Sequence, residues 1–154
     1  WFYEAVELSE NYRLSDLQCA LGISQLKKLD IFKKYKNQIY NYYNKKIEKL
    51  NKYLIPILNN KSNLTHWHLY PVLLNKDYIQ KKKKLFLFLK EKNIFTQVHY
   101  VPIYKHPIYK DYYDKILNLE SEKFYKSVIS LPFHTKIKYR EIDYIIDQIS
   151  KFFK

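Results

Sequence analysis

The 154-residue chain has no methionine, one glycine and one cysteine. Each scarcity removes something. A gene product starts with Met or is processed, yet this chain starts Trp1-Phe2-Tyr3, so the expectation is a piece of a longer protein. With Gly22 as the sole glycine, the GxxG loop that some RNA-binding modules use to clamp a backbone cannot be built. Cys19 alone can form no internal disulfide, and a reducing cytoplasm fits that usage. Beside Ala20 on a helix it is expected as a small buried thiol, because a nucleophilic cysteine would want a basic partner. No apolar run is long enough to cross a bilayer.

Positive charge, in contrast, is abundant. Lys and Arg number 28 against 15 Asp and Glu, a net +13, which invites a nucleic-acid reading. Lys, Asn, Ile and Tyr all have A/T-rich codons, however, and an A/T-biased genome gives this composition in any cytoplasmic protein. A helix-turn-helix and an RNP aromatic pair are also missing. Neither nucleic acid nor a membrane is expected as a partner. The length and 47% hydrophobic content suit one globular domain.

The chain is organised around Asn11–Leu50. Ser15 and Gln18 have capping-box spacing, and Asp16 places a negative charge in the first turn. Leu14, Leu17 and Leu21, then Leu26, Leu29, Phe32, Tyr35, Ile39, Tyr42, Tyr43, Ile47 and Leu50 recur at helical spacing with a slip near Gly22. The pattern predicts one long helix that bends or slips there. Straight, it would run about 50 Å, whereas a compact chain of this size is about 40 Å across. An overhanging helix of that kind bends, or lies against something outside this chain.

After it, Pro56 and the Asn59–Asn63 cluster mark a loop. Trp67–Leu74 reads as a strand, on an edge or bulged because Pro71 lacks a ladder donor. Asp77 is expected to cap a helix running through Ile79, Phe86 and Leu89 to Lys92, with Asn93 in the left-handed conformation that ends it. Ile94–Tyr100 alternates as a half-buried strand, with Phe95, Gln97 and His99 on one side and Thr96, Val98 and Tyr100 on the other. Short helical segments follow at Ile108–Ile116 and at Glu120–Ile129, the latter packed through Phe124 and Val128. Tyr139–Phe153 is an amphipathic helix docked through Ile142, Ile145, Ile146, Ile149 and Phe153. The class is α+β, a long N-terminal helix plus a small antiparallel-type sheet covered by helices. Residues 1–50 are the lead-in and linker helix, and residues 51–154 the small α+β domain.

Chemistry has few places to live. His66 and His68 would share a strand face, but no Cys or carboxylate joins them at ligand spacing, so no metal is expected. Lys81–Lys84 is a solvated face. His99 beside Gln97 precedes a Pro-ended turn, and taken alone a structural histidine is the simpler reading. Arg13 directly precedes a capped helix; Arg is used where bidentate contact to phosphate or carboxylate matters, and helix starts favour anions. Asn11 and Arg13 therefore form a candidate anion site.

These residues carry a resemblance. Asn11-Tyr12-Arg13-Leu14-Ser15-Asp16-Leu17-Gln18, with Ser24-Gln25-Leu26 beyond, resembles the Asn-x-Arg helix of the DegT/StrS-type sugar aminotransferases. His68-Leu69-Tyr70-Pro71, then Thr96-Gln97-Val98-His99-Tyr100-x-Pro102-Ile103-Tyr104, and Ser130-Leu131-Pro132 recur in that family in the same order. The likeness runs from Asn11 to the end of the chain. It implies the small C-terminal domain of a fold-type I aminotransferase dependent on pyridoxal 5'-phosphate, which the missing N-terminal domain would mainly bind. The family's Schiff-base lysine precedes a Gly-Glu-Gly-Gly segment, which a chain with one glycine cannot hold. The chain alone is thus expected to be inactive, with no catalytic residue of its own.

The resemblance further implies a homodimer, a UDP-sugar substrate and a glutamate donor. Asn11 would bind the partner's cofactor phosphate. Arg13 would bind substrate, through a nucleotide-sugar phosphate or the donor's carboxylate. His99, Tyr100 and Tyr104 would line the sugar pocket, although Tyr104 stands where many members have His, and Asn93 where many have Gly. Two other readings are a non-catalytic dimerisation relic of the fold and, less well supported, a basic nucleic-acid-binding domain.

Overall fold

The computed structural model describes residues 4, 6–8, 10–57, 65–109 and 119–154. Its most strongly amphipathic element is α5 (Tyr139–Phe153), whose Ile142, Ile145, Ile146, Ile149 and Phe153 are buried as their spacing predicts. The helix packs on α2 (Leu29–Ile47) and α3 (Lys82–Glu91). Tyr42 on α2 stacks on Tyr139 with ring centroids 4.1 Å apart and donates to the Asp143 carboxylate at 2.9 Å. Lys46 reaches the same carboxylate at 2.6 Å.

Under these helices lies an antiparallel sheet ordered β1-β2-β3, made of Leu54–Pro56, Tyr70–Leu74 and Val128–Leu131. The α+β class therefore holds. Aromatic rings fill the seam between sheet and α2. Tyr43 stacks on Tyr70 at 4.5 Å, and Tyr40 on Trp67 at 3.7 Å. Both buried phenols of the first pair keep partners, as buried hydroxyls must: Tyr43 donates to the Pro132 carbonyl at 2.8 Å and Tyr70 to Asn44 Oδ1 at 2.7 Å. Burial pushes both hydroxyls well above the usual phenol range.

Several expectations change. The N-terminal helix is broken at Lys27–Lys28, five residues beyond Gly22, into α1 (Asp16–Leu26) and α2. Gly22 sits in regular helix with open space where a Cβ would go. The five-residue step from Leu21 to Leu26 falls inside α1, which carries Leu26 round the helix away from Leu21; the chain tightens only after it, Lys28 N–H donating to the Gln25 carbonyl at 3.0 Å in a three-residue turn. The Ser15–Gln18 box is present, with Ser15 N–H donating to Gln18 Oε1 at 2.8 Å. Cys19 is exposed, not buried, because α1 buries no residue at all.

Pro71 lies in the central strand, not on an edge. Its register explains how. Ser130, opposite Pro71, uses its N–H and C=O on Gln97 on the far side. The missing donor of Pro71 therefore faces β1, which has already ended at Pro56 opposite Val72. No ladder bond is lost.

Ile94–Tyr100 makes only an isolated bridge, Gln97 to Ser130, rather than a strand. Ile94 and Thr96 are nevertheless buried and Phe95 and Gln97 exposed, so the alternation holds over that part. Val128 opens β3 instead of closing a helix, since α4 (Leu119–Ser127) ends where Ser127 Oγ turns back onto the Lys123 carbonyl at 2.8 Å. Phe124 remains exposed. Asp77 caps nothing; a tight turn over Lys76–Lys81 precedes α3. Asn93 has φ 59°, and Ile94 N–H reaches the Leu89 carbonyl at 2.9 Å while Asn93 N–H reaches that of Lys90 at 3.0 Å, the paired bonds of a Schellman end. Of Ile108–Ile116, a short turn covers Pro107–Tyr109, and the rest lies outside the described residues, as does the Asn59–Asn63 loop.

Candidate functional site

β3 and the segment bridged to it bring predicted site residues up against buried polar chemistry. The two Gln97–Ser130 backbone bonds, at 3.1 and 2.8 Å, fix the segment against the sheet. Two residues on, His99 Nδ1 lies 2.8 Å from Ser130 Oγ. His99 is half-buried and lines a cleft of about 890 Å³, shared with Gln97, Ser130, Phe133, His134 and Arg140. A histidine, an arginine and an amide around one opening, with the Glu141 carboxylate also in the lining, suit an oxygen-rich polar ligand.

Tyr100 stands edge-on to His99, with ring centroids 4.6 Å apart. It is 70% exposed and lines a different hollow of about 770 Å³, with Ile55, Leu74, Ile79, Val101 and Phe124. The adjacent pair thus serves two depressions. Tyr104 is anchored: its hydroxyl donates to Glu122 Oε1 at 2.8 Å, and Lys105 Nζ meets the same carboxylate at 2.8 Å. Lys105, then Tyr104, hold the Glu122 carboxyl below its ordinary range. Partial burial and that carboxylate push the Tyr104 phenol up.

Asn11 and Arg13 stand apart from this group, exposed just ahead of α1. Asn11 Oδ1 accepts from Arg13 N–H at 3.3 Å, and both outer side-chain groups face solvent. His66 and His68 are exposed and precede β2, so no strand aligns them. Among the described residues, no three of His, Cys, Asp and Glu gather, and no helix is long and apolar enough to cross a membrane.

Sequence reasoning did not single out Ser130 as a partner of His99, 31 residues away; its place in the Ser-Leu-Pro motif was the available signal. Arg140 and His134 gave none, since each falls in a segment with no motif of its own.

The profile of the DegT/DnrJ/EryC1/StrS aminotransferase family matches residues 2–150. A UDP-4-amino-4,6-dideoxy-N-acetyl-beta-L-altrosamine transaminase of Campylobacter jejuni is 38% identical over 149 residues, 97% of this chain and 39% of that protein. Among solved structures, Helicobacter pylori PseC, an aminotransferase involved in the biosynthesis of pseudoaminic acid, superposes with a TM-score of 0.84 at 32% identity, over 96% of this chain and 40% of that one. NtdA from Bacillus subtilis, solved with the cofactor PMP bound, shares the fold at 19% identity, with a TM-score of 0.82 over 96% of this chain and 34% of its own. The chain spans about two fifths of the length of the curated relatives it matches.

Proposed function

The chain belongs to the DegT/DnrJ/EryC1/StrS aminotransferase family, and from that premise we propose that it is the C-terminal part of a nucleotide-sugar aminotransferase dependent on pyridoxal 5'-phosphate. The reaction is amino transfer from glutamate to a UDP-4-keto-6-deoxy sugar, on a route to a cell-surface glycan of the pseudaminic acid type. The observation that carries this is the 38% identity to the altrosamine transaminase along 97% of the chain. The bare apolar residues of α1 agree with it, for Leu17, Leu21 and Leu26 are 81, 61 and 65% exposed, Leu26 on the other side of the helix from Leu17, and fit a helix made to lie among elements of a further domain.

The residues present suit one part of the cofactor, its phosphate. Asn11 spends its Oδ1 on Arg13 N–H, which leaves the amide Nδ2 to donate outward beside an exposed guanidinium, ahead of a capped helix start. In the homodimer, Asn11 would donate to the cofactor phosphate of the partner, and Arg13 would hold the anionic group of substrate or donor. His99 would border the sugar from the larger cleft, with Tyr100 and Tyr104 on the same segment closing around it in the dimer and Tyr104 held in place by Glu122. When bound, the cofactor supplies the electron sink for the deprotonated carbon; this chain contributes binding and orientation. Transfer takes place in the cytoplasm, where sugar nucleotides are made.

The native protein tests the reading. An intact mass about two and a half times that of this chain is expected, with glutamate-dependent amination of the UDP-4-keto-6-deoxy sugar followed as 2-oxoglutarate release. Absence of transfer to any nucleotide sugar would overturn it. The 154-residue chain incubated with pyridoxal phosphate should show no single lysine trapped by borohydride; one stoichiometrically modified lysine would place the catalytic amine here after all.

A further inference from the structure

Ser130 is 4% exposed, and its position is fixed twice, by β2 on one side and by both backbone bonds to Gln97 on the other. Its hydroxyl has one hydrogen-bond partner among the described residues, His99 Nδ1 at 2.8 Å. His99 Nε2 has none there, and the ring lines the 890 Å³ cleft.

The direction of this bond is decided by counting hydrogens. A serine hydroxyl carries one hydrogen and must give it to an acceptor or bury it unpaired, whereas an imidazole nitrogen can be either donor or acceptor. If Nδ1 carried the proton, Ser130 could only accept from it, and its own hydrogen would have no acceptor among the described residues, a costly state for a polar group 4% exposed. If Ser130 donates, both groups are satisfied and the ring proton is on Nε2. The hydrogen bond at one ring nitrogen thereby fixes the state of the other.

We propose that Ser130 is a positioning residue that holds His99 in its Nε2–H tautomer, so that His99 meets its ligand as a hydrogen-bond donor to an oxygen atom and not as a base. The ligand chemistry is an oxygen acceptor, such as a sugar hydroxyl, carbonyl or phosphate oxygen. Naming that acceptor as part of a nucleotide sugar rests on the aminotransferase reading; the tautomer does not.

Long-range proton–nitrogen spectra of the ¹⁵N-labelled chain at neutral pH test it, with His99→Gln identifying the His99 signals among the five histidines. The expected result is an unprotonated, hydrogen-bonded Nδ1 and a protonated Nε2. Ser130→Ala should shift the Nδ1 signal to that of a nitrogen without this bond, and Ser130→Thr, which keeps the hydroxyl, should restore it. The backbone amide signals of Gln97 and of position 130 in the same sample report whether β3 persists. A wild-type ring protonated on Nδ1 overturns the proposal by itself, whatever the variants do. An Nδ1 signal indifferent to Ser130→Ala overturns it too. The predicted tautomer in a native protein that transfers no amino group would leave Ser130 its role and remove the aminotransferase reading. The opposite tautomer in an active protein would do the reverse.

Discussion

From Leu14 to Tyr35 the apolar side chains lie mostly open to solvent, whereas from Ile39 to Leu50 they are mostly sealed, although apolar residues recur at helical spacing, with one slip, through both. Leu17 is 81% exposed and Tyr43 not at all. The difference is not one of capping or apolar content, since α1 is the better capped and the more apolar of the two. It lies in what stands opposite. Beyond Ile39, α5 and the sheet supply a surface; before it, this chain supplies none among the described residues. Helical spacing announces that a face needs covering, and says nothing about which polypeptide covers it.

That contrast can be broken. Ile149→Ala, in the sealed region, should lower the chain's unfolding free energy by about 2–5 kcal/mol, while Leu21→Ala should stay within about 0.5 kcal/mol, both read from urea midpoints. Equal losses would mean that the arm folds onto the body. In the longer protein the Leu21 change should become costly, which sharpens the same point. On the aminotransferase reading, Arg13→Ala should leave the chain's stability unaltered yet raise the barrier behind kcat/KM of the longer protein by about 2–4 kcal/mol, as loss of a charge partner does; unchanged kinetics would remove Arg13 from the proposed site.

Smaller effects probe the body alone. Asn93→Ala forces a Cβ-bearing residue without a helpful side chain into the left-handed region and should cost about 1 kcal/mol, whereas Asn93→Gly should be tolerated, both followed by thermal unfolding. The least effect concerns Asp143. Its contact with Lys46, and secondarily Tyr42, holds its carboxyl below the ordinary value. A group with a depressed folded pKa stabilises the fold above its unfolded pKa, about 3.9 for Asp, and that contribution fades as pH falls further. The pair is open to solvent at the surface, so the change is slight. Asp143→Asn should lower the melting temperature a little at neutral pH, and the two curves should converge as acid protonates the wild-type carboxyl.

Much of the body could be read from residues, because its signals are local. The spacing of α5, the Ser15–Gln18 box and the left-handed Asn93 each depend on neighbours within one or two turns. β3 could not be read, since Val128–Leu131 is buried at every position and a four-residue apolar run has no period to distinguish strand from helix. β1 is only three residues long and closely follows a helix. The apparent edge character of Pro71 misled for a related reason: whether a missing N–H matters depends on where the neighbouring strand stops. At the candidate site the sequence offered His99 and the Asn11–Arg13 pair, but not the hydroxyl that holds the histidine, because that contact is made by the fold and not by spacing. Cys19 is exposed because the helix that carries it finds no cover among the described residues, which its small neighbours cannot reveal.

Pro71 and Pro56 together have one more effect. With Pro71 facing the end of β1, and Pro56 as the last residue of that outer strand, this corner offers carbonyl acceptors but lacks two of the N–H donors that added pairing would use. A stray extended segment docking on that rim would find donors absent on both sides. Two rigid rings thereby make this corner a poor template for a further strand, in a chain whose N-terminal helix leaves leucines uncovered.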